Sequence, residues 1–241
     1  MRMLKFKNEK YMEQLKKIPH NFAVSHDEEK KESTITIYGI IGDSWWDDST
    51  SASDVDSALK SAGSNDLVVH LNSPGGDASD GIAIYNRLKN HAGKVTVYVD
   101  GWACSAASVI AMAADELIMG AGSMLMIHEA STIVWGTKKN FRKEADLLEK
   151  LEDGIIDIYM TKSKVDREDI KSKVDEETWF SANEAIEIGF ATPSSTTTST
   201  DDEENEEITQ LKNQVKSMQN QLDEFKNNEQ VPVNQKPWRF F

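Results

Sequence analysis

Between residues 33 and 191 short β-branched runs alternate with amphipathic stretches, and twice a strand-like run leads through a glycine turn into a helix. A chain that repeats strand, turn and helix must return each helix across the sheet, which predicts an α/β domain built on neighbouring strands. TITIYGII (34–41) reads as the first strand. A Ser/Asp-rich loop then leads to DVDSALKSAG, where Val55 and Leu59 stand one helical turn apart and Gly63 suits the stop. DLVVHLN (66–72) is almost continuously apolar, as expected of a strand covered on both faces. SPGGDAS follows as turn and helix start, and the helix carries Ile82, Ile84, Tyr85 and Leu88.

The second unit opens with VTVYV (95–99) and is expected to turn at Gly101 into an Ala-rich helix whose small residues allow close packing. ELIMG and MLMIH bracket the turn AGS (121–123) and predict two short strands. Phe141, Ala145, Leu148, Leu151, Ile155 and Ile158 recur at three and four residues, predicting a long helix over 137–163. Ser181 with Glu184 three positions on is a capping box, and Gly189 ends that last helix.

Outside this region the chain changes character. Residues 1–32 form a short charged segment, with eight Lys/Arg and five Asp/Glu in the first 31 positions. Residues 192–207 read as a Ser/Thr-rich acidic linker ending in DDEENEE, with almost no apolar surface to bury. Over 208–226, Ile208, Leu211, Val215, Met218, Leu222 and Phe225 follow the spacing 3, 4, 3, 4, 3 of a heptad seam, too short to be stable without a partner. Residues 227–241 are expected to be a disordered tail, whose aromatic end suits either a docking peptide or a frayed terminus.

Charge and cysteine content exclude several function classes. With 27 Lys+Arg against 41 Asp+Glu the formal charge is −14, which repels a phosphate backbone, so nucleic acid is not an expected partner. One cysteine excludes an intrachain disulfide framework and most cysteine-built zinc sites. The longest uncharged apolar stretch, 101–114, falls short of the roughly 18 residues a membrane span needs. The N-terminus lacks the apolar core of a secretory signal, so a cytoplasmic location is expected.

The chemistry concentrates at the ends of the strands, where α/β folds place their sites. Gly75 and Gly76 can present backbone N–H donors to an anion; without a following Lys-Ser/Thr or G-x-G-x-x-G, an oxyanion suits the turn better than a phosphate, and a plain structural turn is the competing reading. Ser105, in GWACSAAS, sits at a helix start where the next N–H, that of Ala106, can point at the oxygen its attack would create, although a serine there also serves as a cap. Such a serine needs a base. Of the five histidines, His128 at the end of MLMIH is best placed, with His70 mid-strand and His91 at a helix end. Asp175, Glu176 and Glu177 precede the capped helix and supply acids that could hold an imidazole tautomer or merely favour the helix dipole.

NSPGGDASDGIAIYNRL, GWACSAASVIAMAADE, MLMIHEA and DEETWFSANEAIEIGF resemble, in that order and spacing, the ClpP-like serine peptidases, and most closely the phage and prophage branch of head maturation proteases. The resemblance covers about residues 33–191. It implies a ClpP/crotonase-like fold, Ser105 as nucleophile, His128 as general base, and Gly76 and Ala106 as oxyanion donors. The third member stands four residues before the serine that opens the last helix, which lands on Glu177, with Asp175 the second choice. Cys104 is read as a small packing residue rather than an alternative nucleophile. The resemblance further implies a homo-oligomeric ring, protein substrates such as capsid or scaffold precursors, no metal or organic cofactor, and a bacterial host cytoplasm. The segment before the first strand lacks the gate and unfoldase-docking pattern of the ATP-dependent peptidases, and the heptad seam suits an assembly role.

Overall fold

The computed structural model describes residue 15 and residues 17–42 and 48–193. Among these lie nine strands, β1 (Asn21–Asp27), β2 (Glu32–Tyr38), β3 (Ile40–Ile41), β4 (Ser49–Thr50), β5 (Asp66–Ser73), β6 (Val95–Cys104), β7 (Glu116–Met119), β8 (Met124–Ile127) and β9 (Thr178–Ser181). Six helices accompany them: α1 (Ala52–Ala62), α2 (Ala78–Lys89), α3 (Ala106–Ala111), α4 (Lys138–Met160), α5 (Arg167–Glu176) and α6 (Ala182–Ile188).

The main sheet runs β1-β2-β5-β6-β8-β9, with β7 also on β6. β2, β5 and β6 are parallel, while β1 and β9 close the two edges antiparallel. β6 is ten residues long, and its two halves do different work. Thr96–Val99 pair with Glu116–Met119 of β7, whereas Trp102–Cys104 pair with Met124–Met126 of β8. The two strands expected around the 121–123 turn are therefore not partners of each other: both run parallel to β6.

Burial in the sheet alternates. Ile35, Ile37, Leu67, Val69, Leu71, Val95, Val97 and Val99 are buried and pack with Val55 and Leu59 of α1, Ile84 and Leu88 of α2, Val109 and Ile110 of α3, and Ile155, Ile156 and Tyr159 of α4. Residues 68, 70 and 72 of β5 lie on the opposite, half-buried face. The expectation that this strand is covered on both faces is corrected: all these helices draw on one face, and the run looks continuous because Val68 fills a half-covered position.

Four further expectations change. The domain begins earlier than residue 33, because β1 pairs with β2 in unbroken register from Asn21↔Tyr38 to Asp27↔Glu32. Gly101 is not the turn into a helix: β6 continues to Cys104, and the glycine admits the Asn72 side chain, whose Oδ1 accepts the Trp102 N–H at 3.0 Å and would stand 2.7 Å from a Cβ at 101. The long helix occupies Lys138–Met160, yet Phe141 on its expected apolar face is 52% exposed, so only its C-terminal half enters the core. α5 and β9 lie in a stretch that the pattern left without elements. The capped helix is as expected: Ser181 accepts the Glu184 N–H, Glu184 reaches back to Ser181, and Gly189 closes the end in the left-handed region.

No helix among the described residues is long and apolar enough to cross a membrane. Most of the expected linker, together with the heptad segment and the aromatic tail, lies outside the described residues.

Leu71 is fully buried at the centre of this core, where truncation leaves a cavity that its rigid neighbours fill only in part. Leu71→Ala should lower the unfolding free energy by about 2–5 kcal/mol, read from the shift of the guanidinium midpoint at unchanged slope.

Candidate active site

Ser105 links the end of β6 to α3 with φ 55° and ψ −123°, a conformation that costs a non-glycine residue about 1–3 kcal/mol. Hydrogen bonds on both sides hold it there. Its N–H donates to the Met126 carbonyl at 2.9 Å, and its carbonyl accepts from the Ser108 N–H at 2.9 Å and the Ser108 hydroxyl at 2.6 Å. Its own side chain makes no capping bond to α3, so the hydroxyl is not spent on the helix. The residue stands at the helix start, as the sequence suggests, on a sharp elbow immediately before Ala106.

The neighbouring loop fits this elbow by lacking side chains. A Cβ on Gly75 would stand 2.5 Å from the Cys104 carbonyl oxygen and 2.7 Å from Ser105 Cβ. Gly75 itself is at φ 86°, and its N–H donates to Ser73 Oγ at 3.0 Å. The next residue forms a parallel bridge with Ile41, whose N–H donates to the Gly75 carbonyl and whose carbonyl accepts from Asp77 N–H, both at 2.9 Å. In such a bridge the partner residue's own amide points away, so the Gly76 N–H faces the side opposite Ile41. The Ala106 N–H begins a helix and has no intrahelical acceptor.

His128 leaves the end of β8 with Nε2 2.9 Å from Ser105 Oγ. Hydroxyl and imidazole are thus within proton-transfer reach although they come from positions 23 apart. β8 pairs antiparallel with β9, and His128 and Glu177 directly flank the last pair, Ile127↔Thr178. Glu177 is held at φ 58° and ψ 77°, and its Oε1 accepts the Trp179 indole N–H at 3.3 Å. Trp179 in turn packs edge-on against Trp102 of β6, with ring centroids 5.5 Å apart. Asp175 lies two residues earlier, inside the last turn of α5.

The other histidines have partners elsewhere: His70 with Asp100 at 2.8 Å, His91 with the Asn65 carbonyl at 2.7 Å, His26 with Ser33 at 2.9 Å and His20 with Thr50 at 3.4 Å. Cys104 is fully buried against Leu15 and Met126. Burial first, and the Glu177 charge second, push its thiol far above the ordinary range, so it is protonated and unreactive.

Residues 31–198 match the Clp protease family. The chain belongs to that family. Over 130 residues, 52% of this chain and 67% of the relative, it is 33% identical to ATP-dependent Clp protease proteolytic subunit 1 of Chlamydia muridarum. It is 30% identical to proteolytic subunit 3 of Rhodococcus jostii over 127 residues, 52% of this chain and 63% of the relative. A ClpP1 mutant from Listeria monocytogenes superposes with a TM-score of 0.57 at 25% identity, covering 66% of this chain and 88% of that one. The fold is therefore that of ClpP, and the family's activity is the hydrolysis of peptide bonds.

Several residues that shape the site carry no signal in the sequence. Ser73, Ser108 and Tyr159 are dispersed, and their joint presence around the elbow follows only from the packing.

Cys104 supplies a pH test. Its pKa is raised by folding, so its contribution to stability is complete below the unfolded thiol's value of about 8.5 and is lost as pH rises towards the folded value. Guanidinium unfolding at rising pH should therefore show stability falling above about pH 8.5 by up to roughly 1.4 kcal/mol per unit from this group, a slope that Cys104→Ala removes.

Proposed function

We propose that this chain is a serine endopeptidase in which Ser105, His128 and Glu177 act as nucleophile, general base and orienting acid. The observation that carries the reading is the 2.9 Å approach of His128 Nε2 to the hydroxyl of a serine held at a strained elbow. Ser105 Oγ attacks the scissile carbonyl carbon and its proton passes to His128 Nε2. Negative charge collects on the former carbonyl oxygen, where the Gly76 and Ala106 N–H groups stabilise it. The tetrahedral species collapses as the C–N bond breaks, the amine leaves with the proton from His128, and an acyl ester remains on Ser105. Water repeats the sequence: it loses a proton to His128, attacks the ester, and returns the serine hydroxyl with a free carboxylate. Glu177 holds the imidazole in the tautomer with the proton on Nδ1 and stabilises the imidazolium. Its position beside the Ile127↔Thr178 pair, the ladder end from which His128 leaves β8, favours it over Asp175 inside α5.

For substrate we favour a capsid or scaffold precursor cut within a ring of identical chains in the host cytoplasm. The support is the resemblance of the four motifs to head maturation proteases and the appended linker and heptad segment. A second reading, an ATP-dependent subunit for general turnover, draws on the names of the relatives from Chlamydia muridarum and Rhodococcus jostii. Casein hydrolysis with and without an added Clp-type ATPase separates the two: the first reading expects degradation without it, and strict dependence overturns that choice.

Ser105→Ala should abolish labelling by a fluorophosphonate probe, with hydrolysis falling by about 10⁴-fold or more. Glu177→Gln should lose on the order of 10⁴ in kcat while Asp175→Asn stays near the parent; the reverse ranking would move the third role to Asp175. A parent that forms rings yet never takes the probe would mark the domain as an inert assembly scaffold.

A further inference from the structure

A buried pair of hydroxyls behind the elbow has no part in the proton transfers above. Tyr159, from the C-terminal half of α4, is 1% exposed, and its hydroxyl lies 2.8 Å from Ser108 Oγ, itself fully buried. Ser108 Oγ is 2.6 Å from the Ser105 carbonyl oxygen. The proton directions follow from valence. A carbonyl can only accept, so the single Ser108 proton goes to Ser105, and the Tyr159 O–H must donate to Ser108. Burial pushes the Tyr159 phenol up, which keeps that donor protonated.

The chain of donors ends on one particular peptide unit. The carbonyl of Ser105 and the N–H of Ala106 belong to the same planar group, and no peptide bond among the described residues is cis. The two bonds therefore point in opposite directions, and holding the carbonyl aims the N–H. The same carbonyl accepts the Ser108 and Val109 N–H groups of α3 at 2.9 and 3.3 Å, so the hydroxyls reinforce an orientation that the helix start begins. A donor on the carbonyl polarises the whole amide and makes its N–H a stronger donor, and a second hydroxyl behind the first adds to that effect.

We infer that Tyr159 and Ser108 form a relay that positions and polarises the Ser105–Ala106 peptide, so that the Ala106 N–H is aimed at the oxyanion. Tyr159 is thus a positioning residue: it touches no reacting atom and acts through Ser108. This rests on the reading of Ser105 as nucleophile and Ala106 as oxyanion donor.

Fluorophosphonate labelling tests it, because the phosphoryl oxygen takes the oxyanion's place during attack. Tyr159→Phe keeps the ring that packs 5.6 Å from Phe190 and removes only the hydroxyl. It should lower the maximal labelling rate about 10-fold, less than the roughly 10²–10³ lost when an oxyanion donor is removed outright, with the probe's half-saturation concentration unchanged. The pH profile of labelling, set by His128, should keep its shape. Ser108→Ala should lose at least as much, and adding Tyr159→Phe to it should cost less than twofold more, since the phenol then has no route to the peptide. Thermal unfolding of each variant reports folding separately. Equal rates for parent and Tyr159→Phe, a shifted pH profile, or additive losses in the double variant would overturn the relay. A parent that takes no probe would overturn the nucleophile assignment and the relay together, whereas a labelled parent with an indifferent Tyr159→Phe overturns the relay alone.

Discussion

Between position 75 and the strand end at 104–106 there is room for a hydrogen atom and nothing larger. A Cβ on Gly75 would stand 2.5 Å from the Cys104 carbonyl oxygen, 2.7 Å from Ser105 Cβ and 2.9 Å from the Ala106 nitrogen, distances at which something must shift. The contact brings two loops from two strand ends together as bare backbone. Gly81, one helical turn into α2, repeats the device against Ala106, where a Cβ would lie 2.9 Å from the alanine methyl. The close approach of the two strand–turn–helix units depends on these absences.

The strained Ser105 backbone is sustained from three directions. β8 accepts its N–H through Met126, α3 and the Ser108 hydroxyl donate to its carbonyl, and Gly75 leaves it the space. Each support is a hydrogen bond or contact in a dry interior, where an unmade bond is expensive. The same β8 carries His128 two residues beyond Met126, so one short strand sets the height of the serine and the reach of the imidazole together. On its other edge β8 meets β9, and His128 and Glu177 directly flank the last pair of that ladder, Ile127↔Thr178. Proposed nucleophile, base and acid thus hang on the pairing of four-residue strands rather than on long loops.

Cys104 shows how position decides reactivity at such a site. It is adjacent in sequence to Ser105, yet strand alternation turns it into the layer with Leu15 and Met126. There desolvation and the charge of Glu177 both oppose thiolate formation. Two neighbouring residues with nucleophilic atoms are separated, by which face of a strand each meets, into a hydroxyl beside His128 Nε2 and a buried, protonated thiol.

Much of the domain was legible along the chain, because hydrophobic period, glycine turns and the Ser181–Glu184 capping box are local signals. Strands β5, β7 and β8 and helices α1, α2, α4 and α6 answer to them, as does the interval that carries Ser105 to His128. β1 was not legible: its residues are mostly exposed, and pairing with β2 rather than apolar pattern makes it a strand. Gly101 misled for a similar reason, since a glycine that admits a neighbouring side chain looks the same in sequence as one that turns the chain. Local sequence pattern was enough for an α/β chain with a serine and a histidine at strand ends, because those features follow from what each residue and its near neighbours prefer. Only the tertiary structure decided that these two meet at 2.9 Å, that Glu177 and His128 flank one end of the β8–β9 ladder, and that Tyr159 reaches the serine's carbonyl through Ser108, because each is a relation between segments that nothing local to either one sets.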